Sequence, residues 1–167
     1  MNIIIRPETG ADHDAIEALT MAAFLNAPHT DHNEQRIVRD LRQAGALSLS
    51  LVAEQEGRVV GHLCFSPVTI SDGSPHWYGL GPISVSPALH GKGLGSRLME
   101  VGLAQLKGMG AAGCVVLGDP GFYGRFGFVS EPGLTLPGVP AEYFMARSFG
   151  AAMPRGEVCY PPAFVQA

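Results

Sequence analysis

The sequence predicts a mixed α/β fold in which a mostly antiparallel sheet of six to seven strands is flanked by helices. The prediction depends on three features: an apolar strand meander over residues 47–85, a glycine loop leading into an amphipathic helix at 90–106, and an apolar strand at 114–117. The chain has 167 residues, of which 46% are hydrophobic and 16% charged, which is typical of one globular core. We therefore expect a single domain over residues 1–167.

The N-terminal part of the chain predicts one strand followed by two helices. Asn2 to Arg6 is a short apolar strand, and Thr9 or Asp12 can cap the helix that follows it. A second helix is expected to start at Asp31 and to end near Gly45, because a glycine commonly follows a helix terminus.

Three successive strands are predicted next, and tight turns join them into an antiparallel meander. Leu47 to Glu54 alternates apolar and polar residues, which predicts a strand with one wetter face. The second strand is expected over Val59 to Ile70 and the third over His76 to Val85, after the turn at residues 71–74.

The chain then continues as helix, strand and short helical turn. Apolar residues from Leu94 onward recur at three- and four-residue steps, which indicates a helix with a broad buried face. Cys114 to Leu117 is fully apolar and should lie parallel to the strand ending at Val85, because a helix connects the two. A helical turn is expected to carry Tyr123. Two further strands are predicted, at Glu142 to Phe149 and at Glu157 to Tyr160.

The loop between the third strand and the long helix has the composition of an anion-binding site. His90-Gly-Lys-Gly-Leu-Gly-Ser96 contains three glycines, which allow a sharp turn and a close approach of the backbone to a ligand. The first N–H groups of the helix lack partners within it and lie at the positive end of its dipole. Lys92 adds a positive charge beside them.

The spacing of the loop separates three kinds of nucleotide-binding site. A P-loop requires Lys and Ser or Thr directly after its last glycine, but Leu94 follows Gly93. The dinucleotide-binding pattern is met only in its first half, because the next glycine, Gly95, comes one residue early. The dinucleotide loop also follows the first strand of a parallel unit, whereas this loop follows an antiparallel meander.

The pattern that remains resembles the phosphate loop of the GNAT superfamily of acyl-CoA-dependent N-acyltransferases, Gln/Arg-x-x-Gly-x-Gly/Ala. It corresponds to His90–Gly95, with His90 where Gln or Arg is usual. The run Phe122–Phe128 after the next strand and the Arg6-Pro7 opening extend the resemblance over most of the chain. The tail Val158–Phe164 resembles a bacterial subgroup of predicted acetyltransferases.

The resemblance implies a GNAT-like three-layer fold with a V-shaped splay between the parallel strands that end at Val85 and Leu117. Acetyl-CoA would bind in this splay as the co-substrate, with its pantetheine amides along Ile83 and Val85 and its pyrophosphate on the N–H groups of the glycine loop. The implied cofactor-binding residues are Ile83, Ser84, Val85, His90, Gly91, Lys92, Gly93, Leu94, Gly95 and Ser96.

The resemblance also implies the reaction. In GNAT enzymes a primary amine attacks the thioester directly, a backbone N–H stabilises the oxyanion, and a tyrosine protonates the leaving thiolate. Tyr123 is the residue expected to act as this general acid. The alternative for Tyr123 is a half-buried core aromatic residue between Phe122 and Phe126.

The general base is less well specified than the acid. Many GNAT members carry a carboxylate on the strand before the glycine loop, but His76 to Val85 contains none. Glu34 and His76 are the candidate bases, and an ordinary solvated side chain is the alternative for each. Asp119 is expected to cap the turn after Leu117. For Arg125, both a surface charge and a phosphate neighbour stay open.

The acceptor amine should enter from the other side of the splay. Its walls would be the loops at residues 26–30 and 133–140, and loops of this kind set specificity. The acidic residues Asp31 and Glu34 favour a cationic amine such as lysine, an amino terminus, a polyamine or an aminoglycoside.

Composition and charge restrict the other partners. The net charge is −4 and no Lys/Arg run occurs, which argues against nucleic acid. No signal peptide and no apolar run of about 20 residues is found, so we expect no membrane association. The widely spaced Cys64, Cys114 and Cys159 indicate neither disulfides nor zinc and favour the reducing cytoplasm. His29, His32 and His62 likewise lack metal-ligand spacing.

The sequence leaves two alternative functions open, and it leaves the oligomeric state open as well. A catalytically weak CoA-sensing module would keep the loop but lack an efficient base, and a nicotinamide-dependent oxidoreductase is disfavoured by loop spacing and topology. The aromatic residues Tyr143, Phe144 and Phe149 are compatible with a strand that completes a sheet across a homodimer or with the core of one chain.

Overall fold

A computed structural model describes residues 2–27 and 32–164. Its strands and helices follow in the order β1 (Ile3–Pro7), α1 (His13–Phe24), α2 (Glu34–Gln43), β2 (Leu49–Gln55), β3 (Arg58–Pro67), β4 (Thr69–Ile70), β5 (Trp77–Val85), α3 (Leu94–Gly108), β6 (Gly113–Leu117), α4 (Pro120–Tyr123), β7 (Leu134–Thr135), β8 (Phe144–Ser148) and β9 (Gly156–Cys159). Short 3₁₀ turns occupy Gly10–Asp12, Pro87–Leu89, Gly124–Phe126, Ala141–Tyr143 and Pro162–Phe164.

The main sheet has six strands in the order β1-β2-β3-β5-β6-β8. Every neighbouring pair is antiparallel except β5 and β6, which run parallel as the helical connection predicts. This confirms the predicted mixed, mostly antiparallel sheet.

One predicted strand is divided between two sheets. The sequence predicted one strand from Val59 to Ile70 with irregular points at Gly61 and Pro67, but β3 ends at Pro67, and Thr69 and Ile70 form β4. β4 belongs to a second, three-stranded sheet with β9 and β7. Proline has no N–H for a ladder, so Pro67 marks the point where the chain leaves the main sheet.

Helices cover both faces of the main sheet. Ile16 of α1 and Val38 of α2 pack with Val52 on one face. On the other face, the buried side of α3, including Leu98, packs with Leu63 and its neighbours. The predicted wetter face of β2 is therefore wrong, because the two helices bury Val52 completely. Asp31, the predicted start of α2, lies outside the described residues, and α2 begins at Glu34.

The parallel strands β5 and β6 separate after a short paired segment. Trp77, Tyr78 and Gly79 pair with residues 113–115, and the pairing ends there. Beyond this point β5 pairs only with β3, and β6 only with β8. The predicted V-shaped splay is thus present, and its widening leaves strand edges that face a cleft.

The C-terminal aromatic residues mostly belong to the core of this chain. Phe144 is buried, and Phe149 is half-buried against the main cluster, whereas Tyr143 is exposed. Over the described ranges, no helix is both long and apolar enough to cross a membrane.

Candidate active site

A cavity of about 800 Å³ lies in the splay, between the end of β5, the start of α3 and the α4 turn. It is lined by the following residues of the predicted cofactor-binding set: Ile83, Val85, His90, Gly91, Gly93, Leu94, Gly95 and Ser96. Ser84 and Lys92 do not line it. The Ser84 side chain is buried on the strand that pairs with β3, and Lys92 is exposed.

The glycine loop has the backbone geometry of an anion-binding turn. Gly91 and Gly93 have φ angles of 76° and 84°, a region that side chains disfavour, and a Cβ at either position would meet no atom within 4 Å. The first α3 hydrogen bond runs from the Arg97 N–H to the Gly93 carbonyl (3.1 Å). The N–H groups of residues 94–96 therefore have no partner within the helix.

The edge of β5 presents backbone groups to this cavity. The Ser86 N–H donates to the Val60 carbonyl on β3 (2.8 Å). Because hydrogen-bonded pairs alternate along an antiparallel ladder, Ser84 also turns its backbone groups toward β3. Ile83 and Val85 consequently turn theirs toward the cleft, as the resemblance implied.

His90 fixes the loop to the strand. Its Nε2 lies 2.9 Å from the Val85 carbonyl oxygen, and since a carbonyl can only accept, Nε2 must carry the hydrogen. The position that usually holds Gln or Arg in the GNAT pattern thus closes the loop onto β5. It also engages one of the two backbone segments expected to pair with pantetheine.

Arg125 lies beside the glycine loop and lines the same cavity. Its guanidinium is 5.0 Å from the Phe122 ring centroid and 5.5 Å from that of Phe126, and Nη2 donates to Ser96 Oγ (3.4 Å). Cation–π contacts hold the charge in place without neutralising it. Of the two alternatives for Arg125, this placement favours the phosphate neighbour.

Tyr123 stands where α4 brings an aromatic ring against the end of β6. Asp119 caps α4 by accepting from the Gly121 N–H (3.0 Å), which confirms the cap expected there. The Tyr123 ring then packs directly over Gly118, where a methyl group would lie 2.5 Å from Tyr123 Cε2. The ring also makes an edge contact with Phe122, with centroids 5.0 Å apart.

The environment keeps the Tyr123 hydroxyl protonated. Burial, with smaller contributions from Cys114 and Asp119, raises the pKa of Tyr123 to about 12. At neutral pH the side chain is therefore a hydrogen-bond and proton donor and not a base.

A second cavity, of about 700 Å³, lies on the other side of the splay. The two cavities share three lining residues, Phe24, Ile83 and Tyr123. Tyr123 therefore stands at the boundary between a compartment with the glycine loop and a compartment without it.

The second cavity includes several residues expected around the acceptor. Glu34 lines it, and the 133–140 loop contributes residues from 136 to 139. Residues 28–30 of the other predicted wall lie outside the described residues. His76 lies at the start of β5, at the opposite end of the strand from the glycine loop, and lines neither cavity.

Some lining residues were not singled out from the sequence. Phe24 at the end of α1 and Tyr160 in the C-terminal tail both reach the splay through long-range packing. Gly118 had a local signal, since it directly follows an apolar strand and precedes the Tyr123 run.

Of His29, His32 and His62, the structure places His62 in a buried polar contact. His62 is fully buried, with Nε2 2.8 Å from Ser50 Oγ, and His29 lies outside the described residues. Within 2–27 and 32–164, no three His, Cys, Asp or Glu side chains gather as a metal-ligand group.

The sequence matches the family model described as acetyltransferase (GNAT) family over residues 13–128. It is 39% identical over 127 residues to the uncharacterized N-acetyltransferase YhbS of Escherichia coli K12, covering 75% of this chain and 73% of that protein.

Two solved structures are similar over almost the whole chain. One is a GNAT family acetyltransferase from Brucella melitensis in complex with acetyl-CoA, with 47% identity, a TM-score of 0.88, and coverage of 98% of this chain and 99% of that one. The other is E. coli YhbS in complex with CoA, with 34% identity, a TM-score of 0.87, and coverage of 98% and 92%.

Proposed function

This chain belongs to the GNAT acetyltransferase family, and from that premise we propose that it transfers the acetyl group of acetyl-CoA to a primary amine by direct attack, with residues 1–167 acting as one acyltransferase domain. The observation that carries the proposal is the meeting of two cavities at Ile83 and Tyr123. One compartment suits a phosphate-bearing co-substrate, and the other is open to an acceptor.

Acetyl-CoA would occupy the cavity that contains the glycine loop. The unpaired N–H groups of residues 94–96 and the nearby Arg125 charge suit the diphosphate. The cleft-facing carbonyl of Ile83 suits a pantetheine amide N–H, so that pantetheine would add to β5 as a further strand does. The Brucella melitensis and E. coli structures contain acetyl-CoA and CoA respectively, which supports the same ligand class here.

The chemical step begins with attack of the amine nitrogen on the thioester carbonyl carbon. A C–N bond forms, and the carbonyl oxygen takes the electron pair and becomes an oxyanion. The Ile83 N–H, which points into the cleft, is the donor that would stabilise this charge. Collapse of the intermediate then breaks the C–S bond and expels the CoA thiolate. The nitrogen, which became positively charged on attack, loses a proton to water as the amide forms, and a proton from water restores the Tyr123 hydroxyl after it has protonated the thiolate.

Tyr123 would protonate this thiolate. Full proton transfer from a hydroxyl with a pKa of about 12 to a thiolate with a pKa near ~8.5 is uphill by about 5 kcal/mol. The proton therefore moves as the C–S bond breaks, and a hydrogen bond from Tyr123 to sulfur carries much of the effect.

Glu34 is the candidate to receive the proton that the amine loses. An alkyl ammonium has a pKa near ~10, so it must give up a proton before it can attack. Glu34 begins α2 and lines the acceptor cavity, where its carboxylate would hold the ammonium and pass its proton to water.

Two measurements test this function. Acetyl-CoA and CoA should each raise the melting temperature of the purified protein, whereas NAD should not. Thiol release from acetyl-CoA should depend on an added primary amine, and mass spectrometry should find the acetylated amine. Binding of acetyl-CoA with no amine-dependent thiol release would favour the CoA-sensing alternative, and binding of neither CoA species would overturn the proposal.

A further inference from the structure

We infer that the acceptor is a primary amine with an apolar alkyl or aryl body and one ammonium group, bound in the second cavity. The inference rests on the proposed function and names its substrate class. It narrows the broad range of cationic amines that the acidic residues alone suggested.

The lining of the second cavity is the first argument. Its walls come from seven parts of the chain: α1, α2, β5, β6, α4, the 133–140 loop and the C-terminal tail. Among the described residues that line it, Glu34 is the only one with a charged side chain. The walls are otherwise built mainly from aliphatic, proline and aromatic residues, such as Ile37, Leu136, Val139 and Phe164.

Leu117 supplies the second argument. It ends a strand whose other four residues are buried, yet it is itself 48% exposed and lines this cavity. Acetyl-CoA would lie in the neighbouring compartment, which Leu117 does not line. An apolar acceptor body would remove Leu117 from water, which is favourable in proportion to the apolar area covered.

The polar groups supply the third argument. Glu34 offers one carboxylate, and the hydroxyls of Tyr123 and Tyr160 are neutral donors. The Tyr160 hydroxyl is buried with no hydrogen-bond partner in the described structure. A polyamine or an aminoglycoside carries several ammonium groups, and each buried one would need its own counter-charge. One carboxylate matches one ammonium.

The position of the reacting atoms fixes how such an amine would lie. Its nitrogen must reach the thioester near Tyr123 and Ile83, where the two cavities meet. Its body would then extend along Leu117 toward Leu136 and Val158. A volume of about 700 Å³ is within the usual range for small-molecule sites.

The test compares matched amines on the full chain at saturating acetyl-CoA. 2-Phenylethylamine and hexylamine are the apolar members, and ethanolamine and spermidine are the polar members. We expect kcat/KM for the apolar amines to exceed that for the polar ones by at least about tenfold, since pocket contacts with one or a few carbon groups give discrimination of this order.

A variant of the cavity wall sharpens the test. Leu117→Gln should raise KM for 2-phenylethylamine by roughly tenfold, a much larger rise than for ethanolamine. The acetyl-CoA Kd should stay within about twofold, because Leu117 does not line the cavity with the glycine loop. Leu117 is already half exposed, so this change is compatible with folding. Met109→Gln, at a residue that is also 48% exposed but lies at the end of α3, is the matched control and should change neither KM.

The outcomes separate this inference from the proposed function. Faster turnover of spermidine or ethanolamine, or an equal effect of Leu117→Gln on all four amines, would overturn the inference and leave the acetyltransferase in place. Acetyl-CoA binding without turnover of any amine would overturn the proposed function and the inference with it.

Discussion

The ring of Tyr160 lies directly against Gly79, so that a methyl group on Gly79 would stand 2.5 Å from Tyr160 Cε2. Gly79 forms the last paired position before β5 and β6 separate. Directly after β6, Tyr123 packs over Gly118 with the same 2.5 Å approach. Each side of the splay thus has a glycine on which a tyrosine ring lies, one within β5 and one directly after β6, and both tyrosines line the acceptor cavity.

Gly79→Ala should therefore destabilise the fold. The added methyl group meets a ring packed on a buried strand, and overpacking of this kind typically costs about 1–3 kcal/mol. Urea unfolding would measure the change. In the Gly79→Ala/Tyr160→Leu double variant, the added methyl group no longer meets the ring. The double variant should therefore lose less unfolding free energy than the sum of the two single variants.

Gly124→Ala is the control for this experiment. Gly124 has a helical φ of −58° and open space where a Cβ would stand. The free energy of unfolding of the Gly124→Ala variant should therefore be unchanged or slightly raised. Additive effects of the Gly79 and Tyr160 substitutions would show that the ring does not limit the space at the splay.

Tyr123→Phe should lower kcat at least about tenfold, because it removes the only proposed donor to the thiolate and keeps the packing of the ring. The acetyl-CoA Kd should stay nearly constant, since the hydroxyl is not part of the diphosphate site. Steady-state thiol release and calorimetry give the two values. Tyr143→Phe, at an exposed tyrosine, is the matched control. Unchanged turnover in Tyr123→Phe would leave Tyr123 with the packing role alone.

Arg125→Gln should weaken acetyl-CoA binding more than Lys92→Gln does. Arg125 lines the cavity beside Ser96, whereas Lys92, which the sequence favoured, does not line it. Loss of one charge-assisted contact is expected to raise the Kd by about tenfold for Arg125→Gln, with a smaller rise for Lys92→Gln. Both effects should shrink as salt is added.

Calorimetric titrations at low and moderate salt would make this comparison. Exposed Arg155→Gln is the control, because Arg155 lies beside the 71–74 turn, at the other end of β5 from the glycine loop. A larger rise in the acetyl-CoA Kd for Lys92→Gln than for Arg125→Gln would contradict this prediction. It would indicate that Lys92, and not Arg125, contacts the phosphate groups.

The parts of this site that follow from local sequence were predictable. The glycine spacing at residues 91–95 fixes a turn and a helix start, and the helix in turn requires β5 and β6 to be parallel. The acidic cap at Asp119 is local as well. The splay itself came from the resemblance to the GNAT pattern.

The parts that depend on long-range packing were not predictable. Nothing near Tyr160 in the sequence shows that it lies on Gly79, because that contact forms only after β9 joins β4 in a second sheet. The wet face expected for β2 failed for a related reason, since alternation along a strand does not reveal that α1 and α2 cover it. The sequence likewise does not show which of two cations reaches the cavity with the glycine loop. Arg125 lines it and Lys92 does not, because the fold brings Arg125 from α4 onward to the start of α3.

A polar network that connects α2, β2 and β3 through Glu8 leads to a prediction about pH. Glu8 accepts hydrogen bonds from Arg42 (2.9 and 3.1 Å) and from the Ser50 hydroxyl. Because Ser50 gives its hydrogen to Glu8, it must accept from His62 Nε2, 2.8 Å away. His62 Nδ1 is then an unprotonated nitrogen, buried without a partner in the described structure.

This arrangement holds His62 neutral in the folded state. Burial lowers the pKa of His62 to about 4, an effect that Arg42 reinforces and Glu8 opposes. Between pH 6.5 and pH 4 the unfolded chain binds a proton that the folded chain does not, so the free energy of unfolding should fall by about 3 kcal/mol across this window. Glu8, whose pKa its partners lower despite burial, adds a further loss below about pH 4.5.

Urea unfolding at pH values from about 7.5 to 4.5 would measure this slope. His62→Gln keeps an amide donor for Ser50 but cannot titrate, so its stability should be lower at neutral pH and should depend much less on pH down to 4.5. His76→Asn, at an exposed residue outside the network, should retain the parental slope. An equal slope in His62→Gln and the parent would mean that His62 takes up its proton without unfolding the chain, and that the network tolerates a charged imidazole beside Glu8.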